Sequence, residues 1–168
     1  MKKIAFLLVL AICICFVGCK TRAENFTVPA TFYYVQSEDY LDLSESIIRG
    51  ETREIAQLEG DLVRILNAYL SGPSAVQYKS PFPTGLSLVS LVQEDDRVIL
   101  ILSDELAQLE SLEFTIAVSC ISTTVFDLTD CVYVELQAEN TLLNGKDTVI
   151  LSCDLLYLSD GSHDNLPI

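Results

Sequence analysis

The amino-terminal end of the chain carries a short apolar run that limits which residues can belong to a folded domain. Lys2 and Lys3 are followed by residues 4–17, none of which is charged or strongly polar. As a helix this run would extend about 21 Å, too short for the roughly 30 Å hydrocarbon core of a bilayer. A charged start and a short apolar run are typical of a secretory signal, which the mature protein lacks. We therefore expect the fold to be built from the residues that follow.

The apolar run ends at Gly18 and Cys19, and this ending resembles the lipobox of bacterial lipoproteins. The resemblance marks Cys19 as the lipid attachment site, with Phe16 where the motif usually has Leu. A diacylglyceryl Cys carries two acyl chains, which make membrane anchoring stable where one chain does not. The implied organisation is a signal peptide over residues 1–18 and a tether over residues 19–27, on the extracytoplasmic face of the bacterial cell membrane. An uncleaved signal anchor and a plain secretory signal are the alternatives.

Acidic residues dominate the charge of the chain. Asp and Glu total 24 against 10 Lys and Arg, which gives a net charge of −14 over 168 residues. This excess argues against nucleic acid as a partner, because phosphate binding needs Lys and Arg. It argues equally against electrostatic adhesion to anionic lipid. Half of the residues are apolar, so the chain suits one folded domain rather than a disordered segment.

Residues that carry catalytic or metal chemistry are scarce. The single histidine, His163, lies in an expected polar tail, and the chain has no Trp. With no second His and no Cys-x-x-Cys spacing, a zinc site is not expected. Cys120, Cys131 and Cys153 form an odd set after the signal, so buried free thiols are favoured and one disulfide is the alternative. We expect no enzyme activity, no metal and no cofactor.

Acidic clusters offer a weak alternative to that expectation. Glu94, Asp95 and Asp96 follow one another, and residues 38–45 and 160–165 are also rich in oxygen ligands. The last segment lacks the Gly and the distal Glu of an EF-hand calcium loop. Facing carboxylates would suit a cell-wall hydrolase, but such a cleft is normally lined by aromatic residues. We interpret these acids as solvated surface.

The first part of the mature chain predicts one strand and one helix. Residues 28–36 are rich in β-branched and aromatic side chains, and Pro29 indicates an edge strand. Residues 37–51 are polar and predict a loop. Residues 52–69 place apolar side chains at helical spacing. This helix should end at Gly72, with Ser71 before it and Pro73 after it, because Gly accepts a left-handed conformation and Pro forbids continuation.

A hairpin and a second helix are predicted next. Residues 86–92 and 97–102 read as two strands around a polar turn, and their continuous apolar composition favours a central position for both. A second helix should begin near Asp104. Its expected buried face contains residues spaced three or four apart, namely Leu106, Leu109, Leu112, Ile116, Cys120 and Thr123.

The last part of the chain predicts two further strands. Residues 132–139 alternate apolar and polar side chains, as a half-buried strand does. Asn144 and Gly145 form a turn signal. Residues 149–158 are apolar and predict a final, less regular strand, and residues 159–168 form a polar tail.

The element order and several short motifs resemble the GerMN domain of sporulation and spore-germination lipoproteins. The likeness covers about residues 30–155, and the segment from the first helix stop to the hairpin is its most specific part. The motifs are Phe32-Tyr33-Tyr34, Tyr69-Leu70-Ser71-Gly72-Pro73, Ser80-Pro81-Phe82-Pro83-Thr84-Gly85, Ser103-Asp104-Glu105-Leu106 and Asn144-Gly145-Lys146.

The resemblance implies a single α+β domain over residues 28–158. Its order would be β-α-β-β-α-β, with two helices on one face of a mixed sheet, similar to the ring-building motif of envelope complexes. The implied role is non-catalytic protein–protein assembly at a membrane, with envelope proteins or with copies of itself. A lipoprotein that binds a small solute or a wall fragment is the second hypothesis, and a wall hydrolase is the third.

Two groups of residues follow from this interpretation. Tyr33 and Tyr34 should point to opposite faces of the first strand, with one buried and the other available to a partner, since Tyr is enriched at interfaces. The second group should have a structural role in the turns, and it consists of Ser71, Gly72, Pro73, Pro83 and Gly85.

The lipobox interpretation predicts the behaviour of a Cys19→Ala variant. Without the thiol there is no acceptor for diacylglycerol, so the full chain should accumulate as an uncleaved precursor. Labelling with a tagged fatty acid should fall to background, while the unchanged chain is labelled. Processing at the same site in the Cys19→Ala variant would contradict the lipobox interpretation.

Overall fold

The computed structural model describes residues 27–42, 44, 46–56 and 61–155. The predicted signal peptide, Cys19 and all but the last residue of the predicted tether lie outside the described residues. So do His163 and the predicted polar tail.

The first sheet has three strands in the order β2-β1-β3, and both neighbours are antiparallel to β1. They are β1 (Thr27–Gln36), β2 (Ile48–Ala56) and β3 (Tyr78–Lys79). The predicted first strand is confirmed, but its edge position is wrong because β1 lies between two strands. Pro29 is tolerated there because β3 pairs only with Val35 and Gln36, beyond the reach of Pro29.

The outer side of β1 is bonded to two helices where β3 does not reach. The Tyr33 amide donates to the Thr124 hydroxyl at 3.0 Å, and the Tyr69 hydroxyl donates to the Tyr33 carbonyl at 2.8 Å. Side chains from two helices therefore satisfy backbone groups that would otherwise need another strand. This edge of the first sheet is closed by these bonds.

The first helix, α1 (Leu62–Leu70), is shorter than predicted. Its start at residue 52 was wrong, since residues 52–56 belong to β2, which also takes the end of the predicted loop. The predicted end is confirmed: Gly72 has a φ of 103°, in the left-handed region that favours glycine. Leu62, Leu66 and Tyr69 lie on one face and are buried.

The second sheet is mixed and has the strand order β4-β5-β6-β7. Its strands are β4 (Leu88–Gln93), β5 (Arg97–Leu102), β6 (Tyr133–Ala138) and β7 (Val149–Ser152). Strands β5 and β6 are parallel, and the outer pairs are antiparallel. The hairpin is confirmed, and β5 is central as predicted. The central position predicted for β4 is wrong, because β4 is an edge strand.

The second helix, α2 (Ser111–Leu128), is preceded by a separate 3-10 turn over Asp104–Gln108. The predicted face is only partly right: Cys120 is buried, but Leu112 is 73% exposed. Because α2 packs against both β1 and β6, its buried positions spread around the helix. They are Phe114, Ala117, Val118, Cys120, Ile121, Ser122, Thr124 and Val125.

Helix α2 is the one helix among the described residues whose length and composition would also suit a membrane span. Its contacts with β1 and β6 give a different reason for that composition, since a helix between two sheets has little polar surface to present. We interpret α2 as the core helix of the domain.

The α+β class is confirmed, and the element order differs from the prediction. The described order is β-β-α-β-β-β-α-β-β, and the strands form two sheets rather than one. Strands β2 and β3 account for the difference before the hairpin. The sheets remain separate because α2, rather than a strand of the second sheet, bonds the outer side of β1. The likeness to a ring-building motif stays a prediction.

The turn at Asn144 and Gly145 is confirmed. Both residues have positive φ, 50° and 79°, as a two-residue hairpin turn requires. Leu143 and Lys146 exchange backbone hydrogen bonds of 2.8 and 3.0 Å across it, and Leu143 is fully buried.

The three described cysteines are free. Cys120 and Cys131 are buried, as predicted, whereas Cys153 is exposed because it follows the end of β7 at the surface. The alternative of one disulfide is therefore wrong for this structure.

The buried thiol of Cys120 predicts a loss of stability in alkaline solution. Burial raises its pKa to about 12, against about 8.5 in an unfolded chain. Between these values the unfolded chain has lost a proton that the folded chain retains, so the free energy of unfolding falls as pH rises. One proton corresponds to a slope of about 1.4 kcal/mol per pH unit.

Urea unfolding between pH 9.5 and 11 should measure this slope. We expect Cys120→Ala to make the slope shallower by about one proton, whatever its effect on stability at neutral pH. Cys153→Ala is the matched control, and it should leave the slope unchanged because that thiol is exposed in both states. Equal slopes for Cys120→Ala and the unchanged protein would contradict the prediction.

Candidate functional site

A cluster of four aromatic rings joins the first sheet to α1 and the loop before the hairpin. Tyr69 is stacked on Phe32 with ring centroids 5.5 Å apart and lies 5.1 Å from Tyr34. Phe82 meets the edge of Tyr69 at 5.0 Å. Aromatic pairs in such stacked and edge-on arrangements add about 0.5–1.5 kcal/mol beyond the burial of their area. The cluster therefore fixes the loop that carries Phe82.

The guanidinium of Arg53 lies over this cluster. Its carbon is 4.9 Å from the Phe32 ring centroid and 5.4 Å from that of Tyr34. It forms an ion pair with Glu51, and its Nε donates to Glu51 Oε2 at 2.8 Å. It also donates to the Tyr34 hydroxyl at 2.9 Å and to the Gly72 carbonyl at 2.8 Å. One side chain from β2 thus connects β1 with the turn after α1.

Glu51 completes the support of that turn. Its carboxylate accepts the backbone amides of Ser74 at 3.0 Å and Ala75 at 2.7 Å, and Glu51 is only 7% exposed. A buried carboxylate is costly unless it is paired and hydrogen-bonded. The pairing with Arg53 and the two amides satisfy this condition.

The predicted turn residues are brought together around these two charges. Gly72 presents its carbonyl to Arg53, and Pro73 leads directly into the amides that Glu51 binds. The Ser71 hydroxyl donates to the carbonyl of Asn67 at 2.9 Å, so it closes the last turn of α1. These contacts explain Ser71, Gly72 and Pro73 as parts of the fold.

Pro83 and Gly85 belong to a second turn, separate from the first. The Leu86 amide donates to the Pro83 carbonyl at 3.2 Å, and Gly85 has a φ of 92°. A positive φ at the third position is the requirement of a type II turn. This turn directs the buried Leu86 towards the core.

The two tyrosines of β1 differ in burial, as predicted. Tyr34 is fully buried, and its hydroxyl donates to the Tyr69 carbonyl at 2.8 Å. Tyr33 is only partly buried, and its hydroxyl donates to Asp127 of α2 at 3.4 Å. Burial, followed by the charge of Asp127, raises the pKa of Tyr33. Its ring therefore packs against this domain and offers a partner only part of its surface.

Sequence reasoning missed Glu51 and Arg53. Both lie on the side of β2 that faces the core, where apolar residues are normally expected. Arg49, Glu51 and Arg53 recur every second position with alternating charge, and this spacing was the available signal of a strand.

A small apolar cavity lies beside the same loop. Its volume is about 280 Å³, just below the range of about 300–1,000 Å³ for ligand pockets. The lining includes Val35, Pro81, Phe82, Pro83, Leu109 and Ile116, with Lys79 and Glu113 as its charged members.

No acidic cluster gathers into a metal site in the described part of the chain. There, no three His, Cys, Asp or Glu side chains are placed to hold one ion. Glu94, Asp95 and Asp96 are exposed at the tip between β4 and β5.

A comparison with family models matches residues 31–144 to "Germane: Sporulation and spore germination". The chain belongs to the Germane family. A comparison with curated protein sequences found no match.

Solved structures share the fold of this Germane chain. The tandem GerMN domains of the sporulation protein GerM from Bacillus subtilis align with a TM-score of 0.57 and 23% identity, over 79% of this chain and 49% of that one. The first GerMN domain of the same protein aligns with a TM-score of 0.55 and 13% identity, over 75% of this chain and 96% of that one. This chain therefore spans about half of the tandem structure, and the predicted GerMN resemblance is confirmed.

The Arg53–Glu51 pair predicts a marked difference between two arginine substitutions. Arg53→Met leaves the buried Glu51 without its counter-charge and should lower the free energy of unfolding by about 3 kcal/mol or more. Arg64→Met, on the exposed side of α1, should change it by less than about 0.5 kcal/mol. Denaturant unfolding followed by circular dichroism measures both.

A double variant tests the mechanism of that loss. Glu51→Gln removes the carboxylate charge that Arg53→Met leaves unpaired. The double variant should therefore lose less free energy of unfolding than the sum of the losses of the two single variants. Simple additivity, or an Arg53→Met protein as stable as Arg64→Met, would show that the pair does not support the turn.

Proposed function

We propose that this Germane chain is a lipid-anchored, non-catalytic assembly module of the cell envelope, acting in sporulation or spore germination. Family membership supports the process, and the lipobox at Cys19 supports the location. The chain would be tethered on the extracytoplasmic face of the membrane through two acyl chains. Its partners would be envelope proteins or further copies of the chain.

One observation carries the non-catalytic part of this proposal. The polar side chains around the turn after α1 are engaged in holding the fold. Arg53 and Glu51 bind the turn after α1, and the Ser71 hydroxyl donates within its own helix. Nucleophilic catalysis needs a hydroxyl or thiol activated by a base, and this arrangement provides none. What the domain presents to other molecules is its surface.

The cavity beside Phe82 favours a second candidate function, the binding of a small solute or wall fragment. Its apolar lining with one Lys and one Glu suits a small amphipathic ligand. Its volume is small for that purpose, and Phe82 is held in the aromatic cluster. Thermal unfolding in the presence of soluble wall fragments tests this candidate. If the cavity binds such a fragment, the fragment should raise the melting temperature of the unchanged chain, and Ile116→Trp should abolish that rise.

The assembly proposal predicts a membrane complex that depends on the lipid anchor. In the native host, native electrophoresis of detergent-solubilised membranes should show the protein in a species well above the 18.6 kDa of the unprocessed chain. A strain lacking the chain should form fewer heat-resistant spores or germinate more slowly. The unchanged chain should restore this defect, and Cys19→Ala should not.

One control variant and one contradicting outcome make the result specific. Arg64→Met, an exposed change that leaves Cys19 intact, should restore the phenotype as well as the unchanged chain. A chain that migrates alone at every stage, in a strain whose spores form and germinate normally without it, would contradict the proposal.

A further inference from the structure

The outer edge of β4 is open in the described part of the chain. Strand β4 pairs with β5 on one side and with no strand on the other, and helix α1 also contacts β4. It reads Leu-Val-Ser-Leu-Val-Gln, with no charge and no proline, and Val89 and Val92 are 45% and 49% exposed. Edge strands usually carry charges, proline or a bulge, which prevent pairing with another chain. In β4, the register shift between Leu88 and Ser90 would hinder such pairing only at the first residues of the strand.

The pairing register shows which backbone groups face outward. The Glu94 amide donates to the Arg97 carbonyl at 2.8 Å, so this pair is hydrogen-bonded. Hydrogen-bonded and open positions alternate along an antiparallel ladder. Val92 and Ser90 therefore bond to β5, while the amides and carbonyls of Leu91 and Gln93 point away from it. These are the groups to which an added strand would bind.

Acidic residues lie at both ends of this uncharged strand. Glu94, Asp95 and Asp96 follow its last residue and are exposed. At the other end, Ser87 and Ser103 are joined by two hydrogen bonds of 3.0 Å, and the partly buried Glu105 lies beside Gly85 with one carboxylate oxygen shielded from solvent. Arg97, at the start of β5, is already paired with Glu135 at 2.9 Å. The edge is apolar in the middle and negative at its ends.

This charge distribution indicates which kind of partner the β4 edge would bind. A second copy would bring its own acids to the same place, in a chain with 24 acidic and 10 basic residues. We propose that the outer edge of β4 binds an extended segment of a basic partner protein as an added strand, with Lys or Arg at the ends of that segment beside Glu94–Asp96 and Glu105. Backbone bonds supply affinity in such binding, and side chains supply specificity. This proposal rests on the assembly function.

A pair of synthetic peptides tests the edge directly. Both alternate Val and Thr over six residues; one carries two Lys at each end and the other two Glu. With the full chain in detergent, fluorescence anisotropy should show the Lys peptide binding at least tenfold more tightly than the Glu peptide. Equal binding of the two peptides, or binding of neither, would overturn the proposal.

Three variants locate the binding. Gln93→Pro removes an outward amide without touching the bonds to β5, so the Lys peptide should bind at least tenfold more weakly. Asp95→Lys together with Asp96→Lys should reverse the peptide preference, which keeps the test decisive if the proline variant misfolds. Ile150→Lys, on the exposed opposite edge β7, should change nothing. If the Lys peptide binds a folded Gln93→Pro chain as tightly as the unchanged chain, the proposal is wrong.

The remaining outcomes separate this proposal from its alternatives. Sedimentation of the full chain in detergent should show no dimer that depends on the β4 edge. A dimer that Gln93→Pro dissociates would mean that a second copy binds this edge, and it would overturn the basic-partner proposal. In the native host, a folded Gln93→Pro chain should fail to restore spore formation. If it restores spores and the membrane complex, the edge proposal fails while the assembly function stands.

Discussion

The stacking of Arg53 on Phe32 and Tyr34 is the contact on which the amino-terminal half of the domain depends. The guanidinium is held on one side by Glu51 and on the other by the Gly72 carbonyl. A cation over aromatic rings gains more when it is partly withdrawn from water, and Arg can serve several acceptors at once because its donors lie in one plane. Strand β2, strand β1 and the end of α1 therefore meet at a single side chain.

The elements predicted correctly are those whose signals are local. Gly72 and Pro73 end a helix by backbone conformation alone, and Asn144 with Gly145 forms a turn for the same reason. The hairpin of β4 and β5 has two apolar runs around a polar tip. In each case the structure agrees with the sequence because no distant residue needs to be known.

The errors have more than one physical cause, and the first is that polar residues of β2 occupy positions facing the core. Strand β2 carries Arg49, Glu51 and Arg53 on its inner side, so its sequence lacks the apolar alternation of a buried strand, and the predicted helix was extended backward over it. Pro29 suggested an edge, but the outer side of β1 is occupied by Thr124 and Tyr69, which are far away in sequence. The turn residues were therefore located correctly, while the charged residues that hold them were not.

The closure of the turn after α1 has a consequence for proteolysis. A protease must straighten several residues of a loop before it can cleave. Straightening the chain at Gly72 would withdraw its carbonyl from Arg53 and strip two amides from the buried Glu51. That segment should therefore be cut only when β1 and β2 separate, although it is a surface loop.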